Sequence, residues 1–334
     1  MGDVISFPDP IPDDRLRLLF TCCHPALAQE AQIALSLRII CGVSVARIAR
    51  AFLVGEPAMY QRLTRAKAKI KAARIPFETP SSREWKFRVG TVLETLETAL
   101  GVAYRNAGGA ADSAGETHGL APEVERLAAL LVELMPQEAE VHGLLALVSL
   151  VRSREGARLS ADGAMVPLSE QDVSLWDARR IERGRRALER ATALADPGPL
   201  QALAAIHLAH ARRLEEGRTD WPTIARLYDT LMRMRPTPVV AINRAVAIAR
   251  GGAPEDGLAA LAALDARKLA DFLPYHAARG DLLARCGKAE DAVAAWDRAI
   301  ELQPEAAEAR YLQARRDGAL RPDSRDESPG CRAP

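Results

Sequence analysis

The 334-residue sequence is 48% hydrophobic but only 4% aromatic, and its formal net charge at pH 7 is +1. A chain of this length can form two or three units with separate cores. Its hydrophobic residues are mostly Ala and Leu, which favour helices, whereas strands favour β-branched and aromatic residues. These figures predict an all-α protein.

Composition also excludes several classes of protein. No uncharged apolar run approaches the roughly 18 residues that a membrane span needs, and the N-terminus lacks the pattern of a signal peptide. The five cysteines are an odd number without framework spacing, which indicates a reducing compartment. We therefore expect a cytoplasmic protein that does not contact the membrane.

The N-terminal segment, residues 1–12, contains three prolines and no hydrophobic periodicity, so a disordered linker is predicted. Two helices are expected next, at 15–23 and 28–41. Cys22-Cys23-His24 lies where the first of them ends, but no second Cys/His pair stands at zinc-ligand spacing. Small buried thiols are the preferred interpretation of this motif.

Residues 43–74 have the pattern of a helix-turn-helix. Ser44 suits the N-cap of the first helix, where a hydroxyl can accept from an orphan amide, and Pro57 suits the first turn of the second. Apolar residues recur at helical spacing in both helices: Val45, Ile48, Ala49 and Phe52, then Met59, Leu63, Ala66 and Ile70.

The second helix carries the basic surface of the pair. No acidic residue occurs between Pro57 and Phe77, although the whole chain is nearly neutral, so positive charge is concentrated on one element. Solvated basic helices are common in proteins that do not bind DNA. The position of this one, as the second helix of the pair, favours DNA recognition.

Two longer motifs indicate a family. Asp13-Asp14-Arg15-Leu16-Arg17-Leu18-Leu19-Phe20-Thr21-Cys22-Cys23-His24-Pro25-Ala26-Leu27 and Ile48-Ala49-Arg50-Ala51-Phe52-Leu53-Val54 resemble region 4 of the extracytoplasmic-function sigma factors of the sigma-70 type. The match is to the subgroup with a C-terminal tetratricopeptide-like extension. Further matching residues are Leu37-Arg38, Val43-Ser44, Glu56, Met59, Arg62-Leu63 and Arg65-Ala66.

The resemblance implies that residues 13–78 read the −35 promoter element and contact the β-flap of RNA polymerase core. The expected DNA-binding residues are Ser44, Arg47, Glu56, Ala58, Tyr60, Gln61, Arg62, Arg65, Lys67, Lys69 and Lys71. No stretch resembles the region-2 domain that precedes region 4 in such factors. We therefore expect this chain to be the C-terminal portion of a sigma factor, or to act beside a separate partner.

A helical middle domain is predicted over residues 79–195, with a β-hairpin near 158–168 because Asp162-Gly163 separates two short extended runs. Gln171, Asp172, Trp176 and Asp177 have two interpretations. They line a pocket, or they form a hairpin-to-helix cap with a core Trp; the cap is favoured.

The C-terminal part looks repetitive. Runs beginning at Leu200, Val239 and Pro274 each suit the start of a helix and lie 39 and 35 residues apart, near the 34-residue tetratricopeptide period. Residues 196–320 are thus predicted to form a tetratricopeptide-like α-solenoid that binds a protein or peptide. Residues 321–334 are predicted to be a disordered tail.

Three classes of function follow from these patterns. The preferred one is a sigma-factor-like transcription initiation protein with a regulatory helical-repeat domain. The alternative is an interaction scaffold whose region-4 segment no longer directs transcription. An enzyme is not expected, because none of the six histidines belongs to a hydrolase, zinc or phosphate-loop motif and no nucleotide loop is present; no metal or cofactor is predicted.

Overall fold

The protein is all-α. A computed structural model describes residues 11, 13–52, 54–74, 82–105 and 119–320. Within these ranges the chain forms helices, turns, loops and one antiparallel β-bridge. Two compact units are present: unit 1 comprises the chain up to 155 together with 176–208, and unit 2 comprises 156–175 together with the chain from 209 onward.

The first eight helices belong to unit 1, and α9 begins in unit 1 and ends just inside unit 2. They are α1 Asp14–Cys22, α2 Gln29–Ile39, α3 Val45–Ala51, α4 Glu56–Ala72, α5 Ser82–Arg105, α6 Leu120–Leu134, α7 Ala139–Arg152, α8 Ala178–Ala193 and α9 Pro199–Ala211.

The remaining helices lie in unit 2. They are α10 Arg213–Glu216, α11 Trp221–Met234, α12 Pro238–Gly251, α13 Pro254–Ala262, α14 Leu273–Arg285, α15 Ala289–Glu301 and α16 Ala306–Leu320. Single turns of 3-10 helix occur at Glu155–Ala157 and Val173–Leu175.

Helix α5 is the centre of unit 1, because it packs on α1, α2, α3, α6 and α7. Four of its apolar residues, Val92, Leu93, Leu96 and Leu100, are buried. At the other end of the helix, Trp85 lies 6.0 Å from the Phe20 ring and the buried Arg88 donates to the Phe20 carbonyl at 3.0 Å. The first four helices therefore share one core with those that follow.

Ion pairs join α1 to α6 at the surface of unit 1. Asp13 caps α1 by accepting from the Leu16 amide at 2.9 Å, and its other oxygen accepts from Arg126 at 2.7 Å. Burial acts to raise the pKa of Asp13, but these hydrogen bonds outweigh it and the pKa lies below its ordinary value. Arg15 pairs with Glu123 at 3.1 Å beside them.

A buried carboxylate, Glu125, holds α6, α7 and α8 together. It accepts from Arg152, which is also buried, and from Arg183 at 3.1 Å. Arg152 in turn donates to Glu155 at 2.9 Å, and the Tyr104 hydroxyl donates to the same carboxylate at 2.5 Å. Because each buried charge has an opposite charge beside it, the network avoids an uncompensated desolvation cost.

The predicted hairpin is present in minimal form. Leu159 and Met165 form an antiparallel bridge, and the turn between them contains Gly163 with a φ of 76°. The bridge belongs to unit 2, where the Met165 amide donates to the carbonyl of Ala307 at 2.9 Å. The segment 156–175 is thus packed on α16, although about 130 residues of chain separate the two.

The motif after the hairpin forms the favoured cap. Asp177 accepts from the amides of Arg179 and Arg180 at 2.9 and 3.1 Å, which begins α8. Asp172 accepts from the Ser174 amide at 2.9 Å, and Trp176 is buried.

Unit 2 consists of consecutive helix pairs. The three runs predicted to begin helices do so, at Pro199 in unit 1 and at Pro238 and Leu273 in unit 2. Close packing depends on small residues at the pair contacts. A Cβ added to Gly280 would lie 2.5 Å from Nε1 of Trp296, which is itself buried between Ala292 and Ala299 in the same core. The absence of a side chain at Gly280 therefore lets the helices of this last pair approach closely.

The thiols of the Cys-Cys-His motif are buried, as expected. Burial raises the pKa of Cys22 to about 11 and that of Cys23 to about 12. Two predictions fall outside the described residues: nearly all of the linker 1–12 and the tail 321–334.

Candidate nucleic-acid interface

The helix-turn-helix forms where the sequence predicts it. The chain leaves α2 through Gly42, whose φ of 67° lies in the left-handed region that favours glycine. Ser44 stands at the N-cap of α3 in an extended conformation, but its hydroxyl accepts no hydrogen bond from the amides of α3. Pro57 lies in the first turn of α4.

Three apolar residues fix α4 against the rest of unit 1. Met59, Leu63 and Ala66 are buried, and Ile70 is half-buried. They define an inner face, and every other residue of α4 except Arg62 is exposed. The outer side of the helix is therefore available to a ligand along its length.

Helical geometry gives the positions of the exposed α4 residues around the helix axis. At about 100° per residue, Gln61 and Ala68 lie opposite the buried stripe. The lysines Lys67 and Lys71 fall on one flank of that outer line, and Arg65 and Lys69 fall on the other. The outer line of α4 therefore carries Gln61 and Ala68, and each of its two flanks carries a pair of cations.

That order matches the shape of the DNA major groove. The groove is about 12 Å wide, and an α-helix with its side chains is about 10–12 Å across. With the outer line facing the floor of the groove, Gln61 would reach base edges, and each flank would face one phosphate backbone.

Arg62 differs from the other cations of the helix because it is held by its own protein. Its guanidinium lies 2.8 Å from the Glu30 carboxylate on α2 and 5.5 Å from the centre of the Phe52 ring. This contact joins α2, α3 and α4. The sequence alone placed Arg62 with the phosphate-binding and base-reading residues.

The remaining predicted residues lie around the start of α4. Glu56, Ala58 and Tyr60 are exposed in its first turns, and the Tyr60 side chain is 54% accessible. Ser44 and Arg47 are half-buried on α3. The structure thus gathers the predicted set on two adjoining helices of one unit.

Family comparisons place two domains in this chain. Residues 17–70 match the sigma-70 region 4 family, and residues 88–192 match a family of unknown function, DUF6596. The first match contains α3 and nearly all of α4. The chain therefore has a sigma-70 region 4 domain followed by a DUF6596 domain.

Over 305 residues the chain is 44% identical to the uncharacterized protein R00370 of Rhizobium meliloti (strain 1021), covering 91% of this chain and 71% of that protein. The two proteins belong to one family. A solved structure, described as that of YrrB, a TPR protein with an unusual peptide-binding site, aligns with 65% of this chain and 91% of its own length. Its identity is 11% and its TM-score is 0.37.

The region 4 domain also has an apolar cavity on the inner side of α4. The cavity has a volume of about 200 Å³ and lies between the α1–α2 connection and α4, with Leu27, Leu35, Ile39 and Ile70 in its wall. Ile39 is 49% exposed at its edge. Lys67, on one flank of the outer line of α4, also borders this cavity, whereas Gln61 and Ala68 do not line it.

One polar residue of the region 4 domain was missed by sequence reasoning. Thr64 is exposed on α4 beside Lys67 and Lys71, where a hydroxyl can donate to a phosphate oxygen. Helical spacing alone places Thr64 on this flank of α4, but a search for charged residues does not select an uncharged threonine.

The described residues contain no group of three or more His, Cys, Asp or Glu side chains that could hold a metal ion. In the same part of the chain, every helix is too short or too polar to cross a membrane.

Proposed function

We propose that this protein is a sigma-factor-like transcription initiation protein that binds the −35 promoter element through α3 and α4. The observation that carries the proposal is the outer side of α4, where Gln61 and Ala68 are flanked by two pairs of cations above a buried apolar stripe. The region 4 match over residues 17–70 supports it.

In this mechanism Arg65, Lys67, Lys69 and Lys71 neutralise phosphates and set the register of the helix. Gln61 reads a base edge, with Ala58 and Tyr60 beside it nearer the start of α4. About four phosphate contacts give a slope of log K against log salt near −3.6. Arg62 positions α4 through Glu30 and Phe52, and Glu56, Ser44 and Arg47 border the contact.

The partner of the region 4 domain is proposed to be cytoplasmic RNA polymerase core, with its β-flap seated in the apolar cavity beside Ile39 and Ile70. Lys67 borders that cavity, whereas Gln61 lies on the outer line of α4 and Arg65 and Lys69 lie on its far flank. One chain can therefore hold DNA and polymerase on adjoining surfaces. Unit 2, with its consecutive helix pairs, is proposed to bind a regulatory protein or peptide. Neither role requires catalysis.

DNA binding is tested by selecting duplexes from a random pool with the full chain and measuring affinity for the selected duplex by fluorescence anisotropy. We expect Arg65→Gln and Lys69→Gln each to make the salt slope shallower by about 0.9. Lys268→Gln is the control, because that exposed lysine lies in unit 2. Failure to select any preferred duplex, or an equal effect of Lys268→Gln, contradicts the proposal.

The second candidate function is a protein-interaction scaffold, which the helix pairs of unit 2 support. Transcription from the selected promoter distinguishes the two, using purified core polymerase with this chain and with a fusion to a sigma region-2 domain. Promoter-dependent RNA from either protein supports initiation. If both proteins are folded and neither yields RNA, the scaffold is favoured.

A further inference from the structure

Unit 2 brings three arginines together from alternate helices. Arg250 lies near the end of α12, Arg285 is the last residue of α14, and Arg315 lies in the last two turns of α16. They are 35 and 30 residues apart in sequence, so the repeat places one guanidinium on every second helix. Arginine clusters of this kind bind carboxylates and phosphates in a fixed geometry.

Two of the three guanidiniums are held in position by indole rings. Arg250 lies over Trp221, 5.8 Å from the ring centre, and Arg315 lies over Trp296 at 5.6 Å. Stacking of this kind orients a guanidinium while leaving its edge available for hydrogen bonds.

One acidic residue, Asp281, lies among the arginines. Its carboxylate is 3.3 Å from Nε of Arg315 and accepts from the Tyr311 hydroxyl at 3.1 Å. Burial raises the pKa of Asp281, and Arg315 opposes that effect. Both contacts of the Asp281 carboxylate are thus with residues of α16.

Arg285 is left without such a contact. It stands one turn after Asp281 on the same face of α14 and is exposed. It forms no hydrogen bond or ion pair with any residue in the described part of the chain. Burial, together with the nearby Arg250 and Arg315, lowers the pKa of Arg285 against the opposing effect of Asp281. Positive charge is therefore only partly balanced at this point.

A non-helical stretch of the chain, residues 163–171, already lies close to the cluster. Arg213 donates to the carbonyls of Ser169 and Gln171 at 2.9 and 3.0 Å, and Arg310 donates to that of Gly163 at 3.2 Å. Glu170, within this stretch, acts electrostatically on both Asp281 and Tyr311. Unit 2 therefore holds backbone carbonyls with arginine side chains, and a carboxylate close to the cluster acts on it electrostatically.

We propose that Arg285, with Arg250 and Arg315, forms a binding site for a carboxylate of an acidic peptide segment in a partner protein. The partner segment lies beside the chain's own residues 163–171. Its carboxylate neutralises the positive charge of the three arginines that Asp281 and Glu170 do not balance. The inference deepens the proposed partner-binding role of unit 2 and names the chemistry of its ligand.

The test uses the full chain and a fluorescein-labelled nine-residue peptide rich in Glu and Asp, with anisotropy as the measurement. A peptide with Gln and Asn in the same positions is the matched ligand control. We expect Arg285→Gln to weaken binding of the acidic peptide about tenfold or more, the loss of one charge-assisted hydrogen-bond partner. Arg267→Gln, at an exposed arginine before α14, should bind as the wild type does.

The basic helix α4 is the other place where an acidic peptide could bind. The double variant Lys67→Gln/Lys69→Gln is expected to leave peptide affinity unchanged; a loss there, with Arg285→Gln unaffected, overturns the inference. Equal binding of the Gln/Asn peptide, or inorganic phosphate competing at the peptide's own concentration, also overturns it. Because no DNA is present, failure here is distinguishable from failure of promoter binding.

Discussion

Arg62 and Glu30 form an ion pair of 2.8 Å between α4 and α2, and Phe52 of α3 covers the same guanidinium. The pair connects α4, the proposed DNA-reading helix, to α2. The Arg62 side chain is 28% exposed and that of Glu30 is 66% exposed, so the contact can exchange with a phosphate at modest cost, about 1 kcal/mol or less.

This pair makes the first prediction. Glu30→Gln removes the competing carboxylate, and we expect tighter binding of the selected duplex, with a salt slope steeper by about 0.9 as Arg62 becomes a phosphate contact. Anisotropy titrations at several salt concentrations measure this. Arg62→Gln should leave the slope of the wild type unchanged; a shallower slope would mean that Arg62 already binds DNA.

Asp13 makes the second prediction, which concerns pH. Its pKa in the folded protein is lowered by Arg126 and the Leu16 amide, against burial, whereas an unfolded Asp titrates near about 3.9. Because the pKa is lower in the folded protein, the ionised carboxyl stabilises the fold above about pH 4. This stabilisation is lost as the pH falls through the pKa of the folded protein. Asp13→Asn keeps an N-cap acceptor. We therefore expect it to lower the free energy of unfolding at pH 7 by less than about 1 kcal/mol.

Urea unfolding of the wild type and of Asp13→Asn between about pH 7 and pH 2 measures this dependence. The two stabilities should converge at the acid end. Asp14→Asn is the control, since the Asp14 side chain is 86% exposed, and its curve should follow the wild type. A constant difference between Asp13→Asn and the wild type at every pH would contradict the assignment.

Glu125 makes the third prediction. Glu125→Gln removes one of the two carboxylates that pair with the buried Arg152 and leaves Glu155 as the other; breaking one side of a buried pair costs about 3–5 kcal/mol. We therefore expect urea unfolding to show that the free energy of unfolding falls by about 3 kcal/mol, the lower end of this range. The matched control is Glu182→Gln on α8, where a surface glutamate binds Arg185 and Arg186. Its effect on the free energy of unfolding should be clearly smaller than that of Glu125→Gln.

Gly280 makes the fourth prediction. A methyl group there would meet the Trp296 indole at 2.5 Å, and Gly280→Ala should destabilise unit 2 by about 1–3 kcal/mol. Gly318→Ala on α16 is the counterpart, because no described atom lies within 4 Å of its added Cβ. That substitution should stabilise by about 0.5–1 kcal/mol through helix propensity. Thermal unfolding of the two variants should move in opposite directions.

The sequence predicts features that depend on neighbours along one helix. The buried stripe of α4, the inward residues of α5 and the Gly280 contact follow from helical spacing and residue size. Pairing across long separations is not encoded in that way. Nothing in the periodicity of α4 indicates that Arg62 meets Glu30, 32 residues earlier, while Arg65 does not.

The cluster around Arg285 illustrates the same limit. Asp281 and Arg285 share a helix face and can be paired from the sequence. Tyr311 and Arg315 join them only because α14, α15 and α16 pack in succession. The candidate site on α4 was therefore accessible to pattern reasoning, whereas a site assembled from three helices was not.

The placement of residues 156–175 in unit 2 bears on synthesis of the chain. Met165 bonds to Ala307, so this stretch waits for about 140 more residues to be translated, which takes roughly 7–28 s at ordinary elongation rates. During that interval its backbone groups must be hydrated or held by another protein. Nascent chains that stop before α16 should thus be substrates for chaperones and proteases, even when the region 4 domain has already folded.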